Sequence, residues 1–257
     1  NTCIGYRAGY DLDGGDYNVF MGYLAGYAGG TGSYNVGIGR TALDALSTGE
    51  YNVGIGTSAL SQVSSSDYNT SVGGAAGAFL TTDSNNTLLG SNSGYSQDGS
   101  TTNALTTGSN VTCIGNEAMP SSATATNEIT LGDNDITSLR CNVQTISSLS
   151  DERDKTAIED LPYGLDFIND MRPVQFTWNR RDGSLGAKPD MGFIAQDLYD
   201  VELDHSSTSR TRLVSWENPE KLEADYLRSY PILVKAVQEL SAKNDALEAR
   251  IAELEGN

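Results

Sequence analysis

The stretch Asn35-Val36-Gly37-Ile38-Gly39 returns seventeen residues later as Asn52-Val53-Gly54-Ile55-Gly56. Asn1-Thr2-Cys3-Ile4-Gly5 and Asn18-Val19-Phe20-Met21-Gly22 precede it in the same phase. Asn69-Thr70-Ser71-Val72-Gly73 and Asn86-Thr87-Leu88-Leu89-Gly90 follow. The pattern returns at Val111-Thr112-Cys113-Ile114-Gly115 and Glu128-Ile129-Thr130-Leu131-Gly132, again 17 apart. Between Gly90 and Gly115 the step is 25, so about eight residues are inserted near Gln97–Gly108. Three positions after the Gly stands a small residue: Ala8, Ala25, Ala42, Ala59, Ala76, Ser93 or Ala118. Before the Asn stands Tyr17, Tyr34, Tyr51 or Tyr68.

Self-similarity at a fixed period marks a repeat architecture. Each unit reads as a short extended segment with one deep apolar side chain, a glycine-assisted bend, a second short segment with a small residue, and a polar turn. One coil buries too little alone, so coils must stack. The predicted fold of residues 1–132 is a mainly β solenoid. A coil of 17 residues encloses a thin core, which favours an intertwined or side-by-side oligomer in which repeats from other chains complete the core of the β-solenoid or β-roll. A low-complexity linker does not keep register over eight units.

Composition changes at Leu149. Residues 1–149 hold 3 Arg, no Lys and 12 Asp or Glu, a net charge of −9. Residues 150–257 hold 13 Lys or Arg and 22 Asp or Glu, again −9, and 23 of the 28 Gly lie in the first part. This acidic balance without a basic cluster argues against nucleic acid or an anionic membrane as partner. No apolar run approaches the roughly 18 residues of a membrane span. Residue 1 already stands inside a repeat, so the sequence is expected to be the C-terminal part of a longer chain.

Cys3 and Cys113 occupy the same slot of the repeat and are expected as small apolar residues of an interior ladder. Cys141 stands alone. With one His and no CxxC, neither a metal nor a cofactor is expected. Asp11-x-Asp13-x-x-Asp16 reads as a solvated turn rather than a cation site. The insertion and the tyrosine rows are candidate contact surfaces for a glycan or other host-cell receptor.

Residues 133–149 lose the repeat; Ile136, Leu139, Cys141, Val143 and Ile146 predict a β neck. Residues 150–229 then read as an α+β globular part. Ile158 to Met171 predicts an amphipathic helical region, broken by Pro162 and ended before Pro173. Val174–Trp178 predicts a strand, Arg180–Lys188 a polar turn, Met191–Leu198 a strand running into a helix, and Arg212–Trp216 a short strand. His205 is expected in a solvated loop. From Asp225 the pattern is helical. Over 230–257 Tyr230, Leu233, Val237, Leu240, Asn244, Leu247, Ile251 and Leu254 alternate three and four apart. That is the a/d seam of a coiled coil, with Asn244 as the polar a position that sets register and strand number.

The junction reads Leu149-Ser150-Asp151-Glu152-Arg153-Asp154-Lys155. A serine becomes a strong nucleophile only beside a base. Lys155 lies five positions on, within reach through a turn or folded loop. A lysine serves as that base only where burial or a neighbouring cation favours its neutral form. The same residues also spell a helix start, with Ser150 as N-cap and acids in the first turn.

Two resemblances bear on these readings. The Asn-x-x-apolar-Gly-x-x-Ala repeat of residues 1–132 resembles the head repeats of trimeric bacterial adhesins and the shafts of phage fibres, which implies trimeric β-rolls or β-helices. From Ser150 onward, Ser150-Asp151-Glu152-Arg153-Asp154-Lys155, Arg172-Pro173-Val174, Trp178, Met191-Gly192-Phe193-Ile194-Ala195-Gln196, Asp225-Tyr226 and the heptads together resemble the intramolecular chaperone auto-processing domain of endosialidase-type phage tailspikes and tail fibres. Asp154 stands where an apolar residue is commoner. The resemblance implies a domain that trimerises, guides folding of the preceding β-structure and then cuts itself off between Leu149 and Ser150. It places the nucleophile on Ser150 and the base on Lys155, with Asp151 and Glu152 as assistants. The implied activity is a single-turnover Ser-Lys autoproteolysis with no external substrate. The fibre would be carried in the virion and the chaperone released in the host cytoplasm. The alternatives are a trimerisation chaperone of a host-binding fibre that does not cut, and a bacterial trimeric adhesin head.

Overall fold

The computed structural model describes residues 1–95, 104–133, 135–142, 150–179, 187–205, 211–215 and 222–256. The chain divides into two compact units, Asn1–Ser138 and Leu139–Asn257. Leu149, Val143, Ile146, Trp216, most of the turn at Arg180–Lys188 and Gln97–Asn103 of the insertion lie outside the described residues.

The first unit is a parallel β-solenoid. Its strands are β1 (Thr2–Ile4), β2 (Val19–Met21), β3 (Val36–Ile38), β4 (Val53–Ile55), β5 (Thr70–Val72), β6 (Thr87–Leu89), β7 (Val111–Ile114) and β8 (Glu128–Leu131). They pair in chain order to form one eight-stranded sheet. Register follows the repeat: Val36 faces Val53, Gly37 faces Gly54 and Ile38 faces Ile55. The extra residues between β6 and β7 leave this pairing intact, with Thr87 opposite Thr112. Ala104 and Leu105 are buried, so the coil is rejoined before Gly108 and the insertion ends sooner than the repeat alone indicates.

Amides also bond along the stacking direction outside the strands. Thr41 N–H donates to Tyr23 O (2.9 Å), Ser58 to Arg40 O (2.8 Å) and Ala75 to Thr57 O (2.8 Å). These donors sit two residues after the repeat glycine in left-handed backbone, at φ 53 for Thr41, 57 for Ser58 and 56 for Ala75. The tyrosine slot is a second such station, with φ 57 at Tyr51 and Tyr68, and Tyr51 N–H donates to Ser33 O (3.2 Å). Left-handed backbone costs a side-chain-bearing residue about 1 kcal/mol; the axial hydrogen bond at each station offsets it. At the repeat glycine itself no side chain fits. Gly56 has φ 135, and a Cβ there would overlap the Gly73 carbonyl oxygen.

The solenoid core has an apolar part and a polar part. Phe20, Leu43, Leu46, Leu60, Val63, Leu80, Leu88, Leu105 and Cys113 are buried in one cluster, and Ala25, Ala42, Ala59, Ala76, Ser93 and Ala118 are buried beside the bends. Bulk alternates with glycine between neighbouring coils. A Cβ on Gly37 would lie 2.9 Å from the Phe20 ring, one on Gly54 3.2 Å from Leu43, and one on Gly77 2.9 Å from Leu60. The deep side chain therefore comes from the strand at Phe20 and Leu88 and from the second segment at Leu43 and Leu60, with glycine in the other slot of the same coil.

The polar part is a ladder of buried Asn18, Asn35, Asn52, Asn69 and Asn86. Each Oδ1 accepts from the next coil. Asn35 Oδ1 takes the Asn52 backbone N–H (2.9 Å) and Asn52 Nδ2 (3.1 Å). Each Nδ2 also donates to the following turn, as Asn52 does to Ser66 O (2.7 Å). Buried backbone groups need such partners. The ladder ends where Val111 N–H donates to Asn86 Oδ1 (2.9 Å).

On the outside of the sheet the first and third positions of the three-residue strands point outward, and so do Thr112, Ile114, Ile129 and Leu131. One outward row is apolar throughout: Ile4, Met21, Ile38, Ile55, Val72, Leu89, Ile114 and Leu131. Of these, Ile4, Met21, Ile55, Val72, Ile114 and Leu131 are exposed. Beside the sheet, Tyr17, Tyr34, Tyr51 and Tyr68 form a continuous stack with ring centroids 5.0, 4.8 and 5.0 Å apart. In the neck, residues 133 and 135–142 carry no strand.

The second unit is α+β. Helix α1 (Leu165–Asp170) is followed by the antiparallel pair β9 (Val174–Thr177) and β10 (Pro189–Gly192), then α2 (Ala195–His205), the pair β11 (Val214–Ser215) and β12 (Glu223–Ala224), and α3 (Ser229–Glu255). The helical region expected from Ile158 is confined to α1, because Pro162 and Gly164 delay its start. Phe167, Met171, Leu198, Val201, Leu213, Val214 and Ile232 form the core. His205 is not a free loop residue: it ends α2, lies 2.7 Å from Asp170 Oδ2 through Nε2, and packs against the Phe167 ring. Helix α3 enters the core with Ile232 and Ala236, and its Glu239 Oε2 accepts the Leu165 N–H at the start of α1 (2.8 Å). Its heptad seam lies on a different face. Leu233, Val237, Leu240, Leu247, Ile251 and Leu254 are all exposed, as is Asn244.

Candidate functional site

The junction motif forms one tight turn. A single 3-10 turn spans Glu152–Asp154, with Asp151 as N-cap and Lys155 as C-cap. The cap thus falls on Asp151, one residue beyond the Ser150 that a helix-start reading selects. Asp151 Oδ1 accepts the Arg153 N–H (2.9 Å) and Arg153 Nε (3.0 Å), and its Oδ2 accepts Arg153 NH2 (2.6 Å). These hydrogen bonds hold the Asp151 carboxyl below its ordinary value. The turn closes with Lys155 N–H on Glu152 O (3.0 Å).

Closing the turn brings Lys155 back onto Ser150. Lys155 Nζ lies 2.7 Å from Ser150 Oγ and 3.1 Å from Ser150 O. The sequence pairing of Ser150 with Lys155 is thus a direct contact, made by a five-residue step through a 3-10 turn. Both residues are exposed in the single chain. Glu152 and Asp154 are also exposed, and Leu149, which carries the carbonyl on the other side of the bond, lies outside the described residues.

Sequence reasoning assigned no role to Arg153, whose side chain braces the turn. It also passed over Glu202, a carboxylate buried in the core of this unit. Glu202 Oε1 accepts the Leu213 N–H (2.8 Å) and the Thr211 hydroxyl. The signal was faint: one acid in an acidic helix, distinguished only by facing Leu198 and Val201. At the β9–β10 pair, Trp178 Nε1 donates to Asp190 Oδ2 (3.0 Å), which lowers the Asp190 carboxyl. Among the described residues no cluster of three or more His, Cys, Asp or Glu is arranged to hold a metal, and no helix is long and apolar enough to cross a membrane.

The second unit is thus an α+β unit that opens on a Ser-Lys contact and ends in a long helix with an exposed apolar seam. Residues 150–206 match the Peptidase_S74 family model, described as chaperone of endosialidase. The match begins at Ser150 and supports an intramolecular chaperone of the tail-fibre type for this part of the chain. No curated protein and no solved structure matches the chain.

Proposed function

We propose that this chain is part of a phage tail fibre or tailspike whose chaperone domain drives trimerisation and folding of the solenoid and then severs the Leu149–Ser150 bond. The observation that carries this reading is the 2.7 Å contact between Lys155 Nζ and Ser150 Oγ. In the proposed reaction Ser150 Oγ attacks the Leu149 carbonyl carbon while Lys155 accepts the hydroxyl proton. The tetrahedral intermediate expels the Ser150 nitrogen, which takes up a proton, and leaves an ester on Oγ that water hydrolyses. Asp151 and Arg153 act as positioning residues by holding the turn closed.

A lysine is a base only when its charged form is disfavoured by desolvation or by a nearby cation. In the single chain Ser150 and Lys155 face solvent. Covering of this turn by neighbouring copies would make cleavage conditional on assembly, so the cut would mark a completed trimer. The exposed a/d seam of α3, Leu233 to Leu254 with Asn244 at an a position, supports a coiled coil that gathers three chains in register. Parallel non-local β-coils fold slowly, and alignment at one end addresses that delay. After release the solenoid has lost its folding template, so its durability becomes kinetic. The fibre would travel in the virion and meet a host-cell surface receptor, with a glycan as the expected class, while the chaperone stays in the host cytoplasm.

The test is a denaturing gel with intact-mass measurement of freshly expressed protein. The wild-type chain is expected as fragments of 149 and 108 residues, and Ser150→Ala and Lys155→Met as full-length chains. A wild-type chain that stays intact while sedimenting as a trimer would instead establish a chaperone that assembles without cutting.

A further inference from the structure

Among the described residues of the solenoid unit, nothing covers the outward face of the eight-stranded sheet, where Ile4, Ile55, Val72, Ile114 and Leu131 are exposed. Each strand offers it two side chains, at the slots of Val53 and Ile55. The Ile55 slot is apolar in all eight strands; the Val53 slot holds only Thr, Val or Ile. No ionisable residue occurs at either slot, in a chain of net charge −18. The face is three residues wide and eight strands long, about 10 Å by about 35 Å at ordinary strand spacing. Parallel sheets are normally covered on both faces, and contiguous exposed apolar surface of this kind marks an interface.

We infer that this face packs against the same face of other copies of the chain, so that the Ile55 row of each copy lines a shared axis. The inference rests on the trimer reading given above and adds the surface. Three features select copies of the chain as the occupant. Like-charged acidic chains can approach closely only where neither carries charge, and these slots carry none. A row that repeats at every coil finds an equal repeat, rung for rung, on another copy of itself. A strip only three residues wide is too narrow for a two-sheet sandwich, but three such strips can enclose an axis with one apolar residue from each copy per rung. The exposed heptad seam of α3 favours chains joined in parallel, which sets equal rungs level with one another.

The test uses the full-length Ser150→Ala chain with Cys3→Ser and Cys141→Ser, which leaves only the buried Cys113. Ile55→Cys is added in one version and Ala45→Cys, exposed on the second segment of the coil, in another. After mild oxidation, most of the Ile55→Cys chain is expected as a disulfide-linked dimer on a non-reducing gel, and the Ala45→Cys chain as monomer. Light scattering before oxidation is expected to give three times the chain mass of 27.3 kDa. Cross-linking through Ala45→Cys, or through neither position in a chain of trimeric mass, overturns the inference and leaves the trimer standing. A monomeric mass overturns both. Ile38→Glu with Ile55→Glu supplies a second route. A trimer that dissociates or melts at a lower temperature than its parent supports a buried face; a trimer of unchanged melting temperature overturns it.

Discussion

Residues 1–149 and 150–257 carry the same net charge of −9, yet the solenoid and the chaperone unit within them solve the burial problem in opposite ways. In the solenoid the contacts join a residue to its equivalent, or to a position beside it, in the next coil: Asn35 to Asn52, Tyr34 to Tyr51, Val36 to Val53. In the chaperone unit the partners are unlike and far apart in sequence: Glu239 with Leu165, His205 with Asp170, Glu202 with Leu213. A repeat is legible because one period specifies all its contacts. It is also dependent, because each coil lends half of its core to the next. The chaperone unit encloses its own small core and leaves the apolar seam of α3 exposed. The difference fits a division of labour in which one part needs alignment and the other supplies it.

The comparison breaks most severely at the repeat glycine. Gly56→Ala is expected to destabilise the solenoid by about 3 kcal/mol or more, since φ 135 is strained for alanine and the Cβ meets backbone. The melting of the solenoid, followed by circular dichroism, should shift while α3 retains its helical signal.

Asn52→Ala is expected to cost about 2–4 kcal/mol by leaving the buried Asn69 N–H and the Ser66 carbonyl without their partners. Nearest-neighbour dependence gives a sharper check. Losses from Asn52→Ala and Asn69→Ala should be non-additive in a double-mutant cycle, whereas those from Asn18→Ala and Asn69→Ala should add. Glu202→Ala is the corresponding change in the chaperone unit, with an expected loss of about 1–3 kcal/mol that leaves the solenoid transition untouched.

A smaller effect concerns Cys113. Burial, with a contribution from the nearby Glu128, outweighs the Thr130 hydrogen bond and pushes its thiol up to about 12 from 9.0. The folded state therefore favours the neutral thiol. Its contribution to stability is complete below pH 9 and is lost as pH rises from 9 towards 12, by at most about 1.4 kcal/mol per unit. Alkylation near pH 9 should modify the exposed Cys3 and Cys141 quickly and Cys113 only on unfolding, as peptide mapping would show. The smallest effect is expected at Tyr51→Asn, within about 1 kcal/mol, because relief of the left-handed backbone offsets the lost stack.

Much of the solenoid could be read in advance. The 17-residue step predicted the strands, their order and their register, and the small residue after the bend proved to be buried from Ala25 onward. The asparagine was visible as a motif but not as a hydrogen-bonding spine, because its partners lie 14 and 17 residues away and only stacking reveals them. The apolar residue before each glycine points outward, and the deep position is shared between two slots whose bulk complements the neighbouring coil. In the chaperone unit the Ser150–Lys155 contact was expected from the resemblance, since the spacing alone equally spelled a helix start. The placement of the cap on Asp151, the brace from Arg153 and the core role of Glu202 were not, since each depends on where a chain of mixed polarity turns.

By itself, then, the sequence determined the period, the parallel pairing that a constant step imposes, the change of composition near residue 150 and the heptad seam of α3. Local spacing and periodicity are properties of the chain that survive without coordinates. Tertiary structure alone decided which side of each strand faces inward, which bulky residue fills the space left by which glycine, and that a 3-10 turn closes Lys155 onto Ser150. Those outcomes depend on volume, axial hydrogen bonds and backbone stations that different residues can supply, so no single residue type announces them.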